Sequence, residues 1–126
     1  MKKPALDGIR VLSLGTGGVV PDCVKTLGEM GADVIKIESK QNLDFVRTIG
    51  WDINAVPGFN EINRNARSFG VNLKTAAGGD LVKTLVKRSD IVTENFRAGA
   101  SALATIDPLP LTKIDPGVNL DCGAES

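Results

Sequence analysis

The feature that most constrains the fold is an apolar run that ends in a glycine-rich turn and is followed by a helical pattern and a second apolar run. Residues 9–14 show little polar alternation, which is typical of a strand covered on both faces of a parallel sheet. Residues 34–38 form the second such run. Parallel neighbours need a crossover helix. The pattern therefore predicts a β-α-β unit with a ligand site over the carboxyl ends of its strands.

The crossover helix is predicted between Pro21 and Gly31. Pro21 suits the first turn, Asp22 favours the positive end of the helix dipole, and Gly31 suits a left-handed stop. The apolar stripe of this helix comprises Cys23, Val24, Leu27 and Met30.

Beyond residue 38 the sequence predicts a long loop, followed by further helices and strands of the α/β fold. Residues 39–57 lack periodicity and are interpreted as a ligand-facing loop, in which Trp51 is interpreted as a lid over the core. A short helix is predicted over residues 59–65 and a strand near the sheet edge over 67–73. The helix that follows is capped by Thr75, and residues 90–94 are the fourth strand. The stripe predicted for the capped helix is Leu81, Val82, Leu85 and Val86.

Composition excludes several classes of function. The 15 basic and 15 acidic residues balance, so neither nucleic acid nor a membrane surface is favoured as a partner. The sequence has no histidine and no tyrosine, so a catalytic role would need a carboxylate, a lysine, a cysteine or a hydroxyl. Cys23 and Cys122 lack metal or redox spacing and are interpreted as thiols of a cytoplasmic protein. No metal site, signal peptide or membrane span is predicted.

The glycine turn at residues 15–18 has two interpretations. It could cradle a phosphate, because small residues let the backbone approach a ligand, or it could be only a tight turn between strand and helix. Val20 stands where a nicotinamide-dinucleotide fingerprint needs glycine, whereas Glu38 lies near the position of the ribose-binding acid. Glu38 and Lys40 could equally begin a solvated loop. An NAD-type domain therefore stays open as an alternative.

Several short stretches of the chain, taken in their order along the sequence, resemble the class III coenzyme A transferases, also known as the formyl-CoA transferase and CaiB/BaiF family. The stretches that carry the resemblance are residues 6–12, 27–38, 63–68, 71–75 with Gly78, and 89–99. They cover most of residues 4–100.

The resemblance implies an α/β fold: a Rossmann-like parallel sheet with helices on both faces, here the incomplete N-terminal lobe of a larger fold. Residues 1–103 would be the CoA-binding lobe and residues 104–126 a divergent, truncated tail. In the family an aspartate attacks an acyl-CoA thioester, and the acyl group passes through a mixed anhydride. That aspartate would lie beyond Ser126, so no catalytic residue is assigned here and the chain alone is expected to be inactive.

The resemblance also implies the partners and the CoA contacts. The partners are an acyl-CoA and a carboxylic acid acceptor, with an interlocked homodimer in the full-length protein and no metal. Racemases of 2-methylacyl-CoA share this lobe, so an isomerase stays open, as does a remnant that binds nothing. Ala66 and Leu103 replace basic residues common in the family, which should weaken CoA binding. The predicted CoA contacts are Gly17 and Gly18 for pantetheine, Ser39 and Lys40 near the phosphates, Val71, Leu73 and Lys74 for adenine, and Asn95 with Phe96 in the turn after the fourth strand.

Overall fold

The computed structural model describes residues 2–96, and within them four parallel strands form one sheet. The strands are β1 (Arg10–Ser13), β2 (Asp33–Glu38), β3 (Ala66–Gly70) and β4 (Ile91–Thr93), in the order β3-β2-β1-β4. The helices are α1 (Val19–Glu29), α2 (Pro57–Ile62) and α3 (Ala76–Val86), with a 3-10 helix at Phe45–Ile49. The chain moves outward from β1 to β3 and then returns to the other side of β1. The strand order therefore reverses between β1 and β4, where doubly wound folds place their ligands.

The sheet is covered by helices on both faces, as the sequence predicts. One core cluster packs α1 against the sheet and contains Val11, Val20, Val24, Ala32, Val34 and Ile91. The other packs α3 against the opposite face and contains Leu12, Leu14, Ile37, Val71, Val82 and Val86. Burial of this aliphatic surface on both faces is the main favourable contribution to folding.

Two members of the predicted apolar stripes are exposed. Leu81 of α3 is 53% exposed, and Met30, the residue that caps α1, is also exposed. Trp51 is fully exposed, so its interpretation as a lid over the core is wrong. For Leu81 and Met30, periodicity alone does not show where a helix turns away from the sheet. For Trp51, which lies in a loop, size and apolar character alone do not show whether the ring packs on the core.

The capping signals of α1 and α3 are confirmed, with small shifts in boundary. Pro21 is the third residue of α1, and Gly31 ends that helix with φ +102°. A Cβ at Gly31 would lie 2.2 Å from the Cβ of Pro4, so only glycine fits there. The Thr75 hydroxyl accepts a hydrogen bond from the Gly78 N–H at 3.1 Å, which is the predicted cap of α3.

Strand β3 is at the edge of the described sheet, as predicted, but it ends at Gly70 and so excludes Val71 and Leu73.

Near the start of β3, the Arg67 guanidinium forms an ion pair with Asp33, which also accepts from Arg10 Nε at 2.8 Å. These bonds, led by the one from Arg10, lower the pKa of the Asp33 carboxyl below its ordinary value. They lie at the amino edge of the sheet, opposite the ligand edge.

Predictions that fall on the segment after Phe96 lie outside the described residues. They concern Leu103, Cys122 and the division between residues 103 and 104. Within residues 2–96, no helix combines the length and the apolar character that crossing a bilayer requires.

Gly78 and Gly79 offer a matched pair of substitutions in the first turns of α3. A Cβ at Gly78 would lie 2.0 Å from the Asn72 carbonyl oxygen, whereas a Cβ at Gly79 would meet nothing within 4 Å. We expect Gly79→Ala to stabilise the fold by about 0.5–1 kcal/mol, because alanine restricts the unfolded chain and favours helix. We expect Gly78→Ala to destabilise it by about 1–3 kcal/mol, because α3 must shift away from the loop. Urea denaturation of both variants tests this, and equal changes in unfolding free energy would contradict it.

Candidate functional site

A cleft of about 290 Å³ lies over the carboxyl ends of the strands, at the edge that the sequence predicts for a ligand. Residues from the loops after all four strands reach this cleft. Because the strands are parallel, these loops leave the sheet at the same edge, and segments far apart in sequence meet there. Its lining comprises Leu14, Thr16, Lys36, Ile37, Glu38, Ser39, Gln41, Asn42, Asn72, Leu73, Lys74 and Phe96.

The loops after β1 and β4 are joined by the side-chain amide of Asn95. Its Oδ1 accepts from the Thr16 N–H at 3.0 Å, and its Nδ2 donates to the Thr16 carbonyl oxygen at 2.9 Å. The two loops therefore converge at the same edge of the sheet, as expected for parallel strands. Asn95 thereby fixes the backbone of the glycine turn at Thr16. The next residue in the chain, Phe96, lines the cleft.

A buried ion pair lies beneath the glycine turn. Lys36 Nζ is 3.1 Å from Asp44 Oδ2 and donates to the Gly15 carbonyl oxygen at 2.9 Å. The side chains are 4% and 0% exposed, respectively. Asp44 Oδ1 also accepts from the N–H groups of Gly17 and Val46, both at 3.1 Å. Buried charges are retained only where they are paired and hydrogen-bonded in this way.

This arrangement bears on the two interpretations of the glycine turn. The N–H of Thr16 is bound by Asn95, and the N–H of Gly17 is bound by the Asp44 carboxylate. A phosphate at the turn would have to displace these partners. As observed, the turn is a tight connection whose Thr16 and Gly17 N–H groups are held by the protein's own side chains, which favours the tight-turn interpretation.

Glu38 has a different role from either of those considered from sequence. Its Oε1 accepts from Arg47 Nε at 2.6 Å and its Oε2 from Arg47 Nη2 at 3.0 Å, and its side chain is 8% exposed. Glu38 therefore neither begins a solvated loop nor presents an unoccupied carboxylate to a ribose. A bidentate pair of this kind is strong and geometrically specific.

Arg47 ties the excursion after β2 to the rest of the lobe. Besides Glu38, its guanidinium donates to the Ile53 carbonyl oxygen at 2.8 Å and stacks 3.7 Å from the centre of the Phe59 ring. Arg47 therefore connects the long loop predicted to face the ligand to β2 and α2, through its ion pair with Glu38 and its contact with Phe59. Trp51 lies in this excursion and is exposed.

Four of the nine predicted CoA contacts line the cleft: Ser39, Leu73, Lys74 and Phe96. Asn95 lies next to it and holds the glycine turn.

The other four predicted contacts lie outside the described lining. Gly17 is buried in the turn, where its φ of +78° and the ring of Phe45 leave no room for a side chain. Gly18 and Lys40 are exposed, and Val71 lies in the core cluster beneath α3.

The site has polar groups that the sequence analysis did not single out, above all Lys36, Asp44 and Arg47. One signal was available: Lys36 is a charged residue in the middle of an aliphatic strand, and a buried charge needs a partner. The sequence did not indicate which of the acidic residues in the following loop would supply it.

The cleft combines apolar surface, amide and hydroxyl groups and one exposed ammonium group, that of Lys74. Such a lining suits a ligand that has both apolar and hydrogen-bonding parts and a negative charge at one end. Within residues 2–96, no cluster of three or more potential metal ligands is present.

Comparison with known proteins places the chain in a family. The family model described as CoA-transferase family III matches residues 6–118. Succinate–glutarate CoA-transferase of Agrobacterium fabrum is 34% identical over 91% of this chain and 31% of its own length. Formyl-CoA:oxalate CoA-transferase of Escherichia coli O6:H1 is 39% identical over 75% of this chain and 23% of its own length.

Solved structures agree with the sequence matches. A CaiB/BaiF family protein from Brucella suis has a TM-score of 0.70 and 33% identity, covering 83% of this chain and 29% of that chain. A hypothetical protein from Mycobacterium tuberculosis has a TM-score of 0.70 and 28% identity, covering 83% and 28%. The chain thus spans between about a quarter and a third of the length of the curated relatives described above. It belongs to CoA-transferase family III.

Proposed function

We propose that this chain is the N-terminal, CoA-binding portion of an enzyme that transfers CoA between carboxylic acids. The observation that carries the proposal is the convergence of Ser39, Lys74 and Phe96 on one cleft. These residues follow three different strands, and each was selected from sequence as a CoA contact. Several relatives are named as CoA-transferases that act on short dicarboxylic acids or their CoA esters, which supports an acyl-CoA as the substrate.

The lining suggests how CoA would lie. The Lys74 ammonium is exposed just before α3 and would attract the phosphates. Lys40, which follows Ser39 in the chain, would be a second exposed cation. Leu73 would pack against the adenine. The uncharged amide chain of pantetheine would run past Phe96 towards Thr16, where the Gly17 N–H is already bound by the Asp44 carboxylate.

The transfer step itself is proposed for the whole enzyme and not for this chain alone. Exchange between two carboxylic acids is eased by a carboxylate nucleophile that first takes the acyl group as an anhydride and releases CoA as the thiolate. We assign no such carboxylate within residues 1–103, which we propose as the CoA-binding lobe. The nucleophile, the acceptor site and a homodimer would involve the remaining length that the relatives have.

The NAD-type alternative is not favoured, because Glu38 is bound by Arg47 and the Gly17 N–H by Asp44. Both groups would have to change partners to hold a ribose and a pyrophosphate.

Calorimetric titration of the 126-residue chain with CoA and, separately, with NAD tests the proposal. We expect binding of CoA and none of NAD. Lys74→Met should weaken CoA binding about ten-fold or more, because it removes a charge-assisted contact to phosphate. Lys87→Met is the matched control: it removes an exposed lysine after the other end of α3 and should leave the affinity unchanged.

Binding of NAD without CoA would overturn the proposed function. Equal losses in the Lys74 and Lys87 variants would leave CoA binding in place but contradict the position of the phosphates.

A further inference from the structure

The donors around Asp44 form an anion-binding arrangement. The Gly17 N–H reaches Oδ1 at 3.1 Å and Oδ2 at 3.2 Å, the Val46 N–H reaches Oδ1 at 3.1 Å, and Lys36 Nζ reaches Oδ2 at 3.1 Å. Two backbone donors and one ammonium group thus converge on a carboxylate that has no solvent exposure. Gly17 has a positive φ, and its N–H points inward to the Asp44 carboxylate.

This anion-binding arrangement lies at a position where related folds bind ligands. It lies directly beneath the first strand-to-helix turn, the place where many dinucleotide-binding folds hold the ligand's pyrophosphate with backbone N–H groups. Here a carboxylate from the loop after β2 occupies it. The same donors that would bind a ligand anion bind a side chain of the chain itself.

We propose that Asp44 is an internal anion that occupies this position and closes it to negatively charged ligand groups. Asp44 is thereby a specificity-determining residue of the cleft. An approaching phosphate would find the N–H groups of Thr16 and Gly17 occupied and would meet a buried negative charge. Charged ligand groups are therefore directed to the Lys74 end. For CoA, a consequence that rests on the proposed function, the turn accepts only the uncharged part of the molecule.

Removal of the Asp44 carboxylate tests this directly, because it should leave an empty anion site. Asp44→Ala removes one carboxylate group while Lys36 and the two N–H donors remain, so formate matches what is lost. Thermal unfolding of the 126-residue chain is followed in sodium formate and in sodium chloride of equal ionic strength, with formamide as the uncharged analogue. Wild type and the double variant Asp44→Ala/Lys36→Met are the controls.

We expect Asp44→Ala to have a Tm higher by about 5 °C or more in formate than in chloride, since a ligand that binds only the folded state stabilises it. Formamide should have no such effect. Wild type should not distinguish the two salts, because Asp44 fills the site. The double variant should not distinguish them either, because it lacks the cation.

Two results would overturn the proposal. One is an Asp44→Ala variant whose Tm is the same in formate and chloride, or which stays unfolded at every formate concentration. The other is an equal response to formate in wild type or in the double variant. None of these readouts involves CoA, so failure here is distinguishable from failure of CoA binding by the wild-type chain.

Discussion

Lys36→Met is expected to destabilise the lobe by about 3–5 kcal/mol, the loss typical of removing one partner from a buried ion pair. The substitution leaves the Asp44 carboxylate without solvent exposure and with only backbone N–H donors. It also removes the bond from Lys36 Nζ to the Gly15 carbonyl oxygen, so the glycine turn loses support from below. Chemical denaturation, with unfolding free energy obtained from the midpoint and slope, measures the loss.

A double variant separates the effect of an unpaired buried charge from the effect of the altered side-chain packing. Lys36→Met/Asp44→Asn contains neither charge, and the amide oxygen can still accept from a backbone N–H. We expect it to regain most of the stability lost in the single variant, because a buried pair replaced by neutral groups is often close to neutral in energy. Lys87→Met, a surface change, should stay within about 0.5 kcal/mol of wild type. A Lys36→Met variant as stable as Lys87→Met would contradict the buried pair.

The fold was predictable from local signals because its elements carry their own boundaries. Gly31 and Thr75 mark the end of α1 and the start of α3, and both act as the sequence predicts. The aliphatic runs of β1 and β2 gave the parallel pair. Where prediction failed, as for Leu81 and Trp51, local pattern could not show how each side chain lies against the rest of the lobe.

The site was predictable only in part, because its electrostatics depend on pairings across loops. Ser39, Lys74 and Phe96 could be placed at one edge, since they follow parallel strands. The partners of Lys36 and Glu38 could not, because Asp44 and Arg47 lie in a segment without periodicity. The interpretation of the glycine turn depended on those pairings: the same four residues would suit a phosphate if Asp44 were elsewhere.

Leu12→Ala is expected to destabilise the lobe by about 2–5 kcal/mol, whereas Leu81→Ala should change its stability by less than about 1 kcal/mol. Leu12 is fully buried in β1, between Ile35 and Val92 on the neighbouring strands, so the substitution removes apolar contacts and leaves a cavity. Leu81 is 53% exposed on α3, where alanine is also a good helix former. The side chain lost is the same at both positions, so the difference in unfolding free energy, measured in urea, reports mainly the difference in burial. Similar losses at both positions would contradict the burial that the structure assigns to these two leucines.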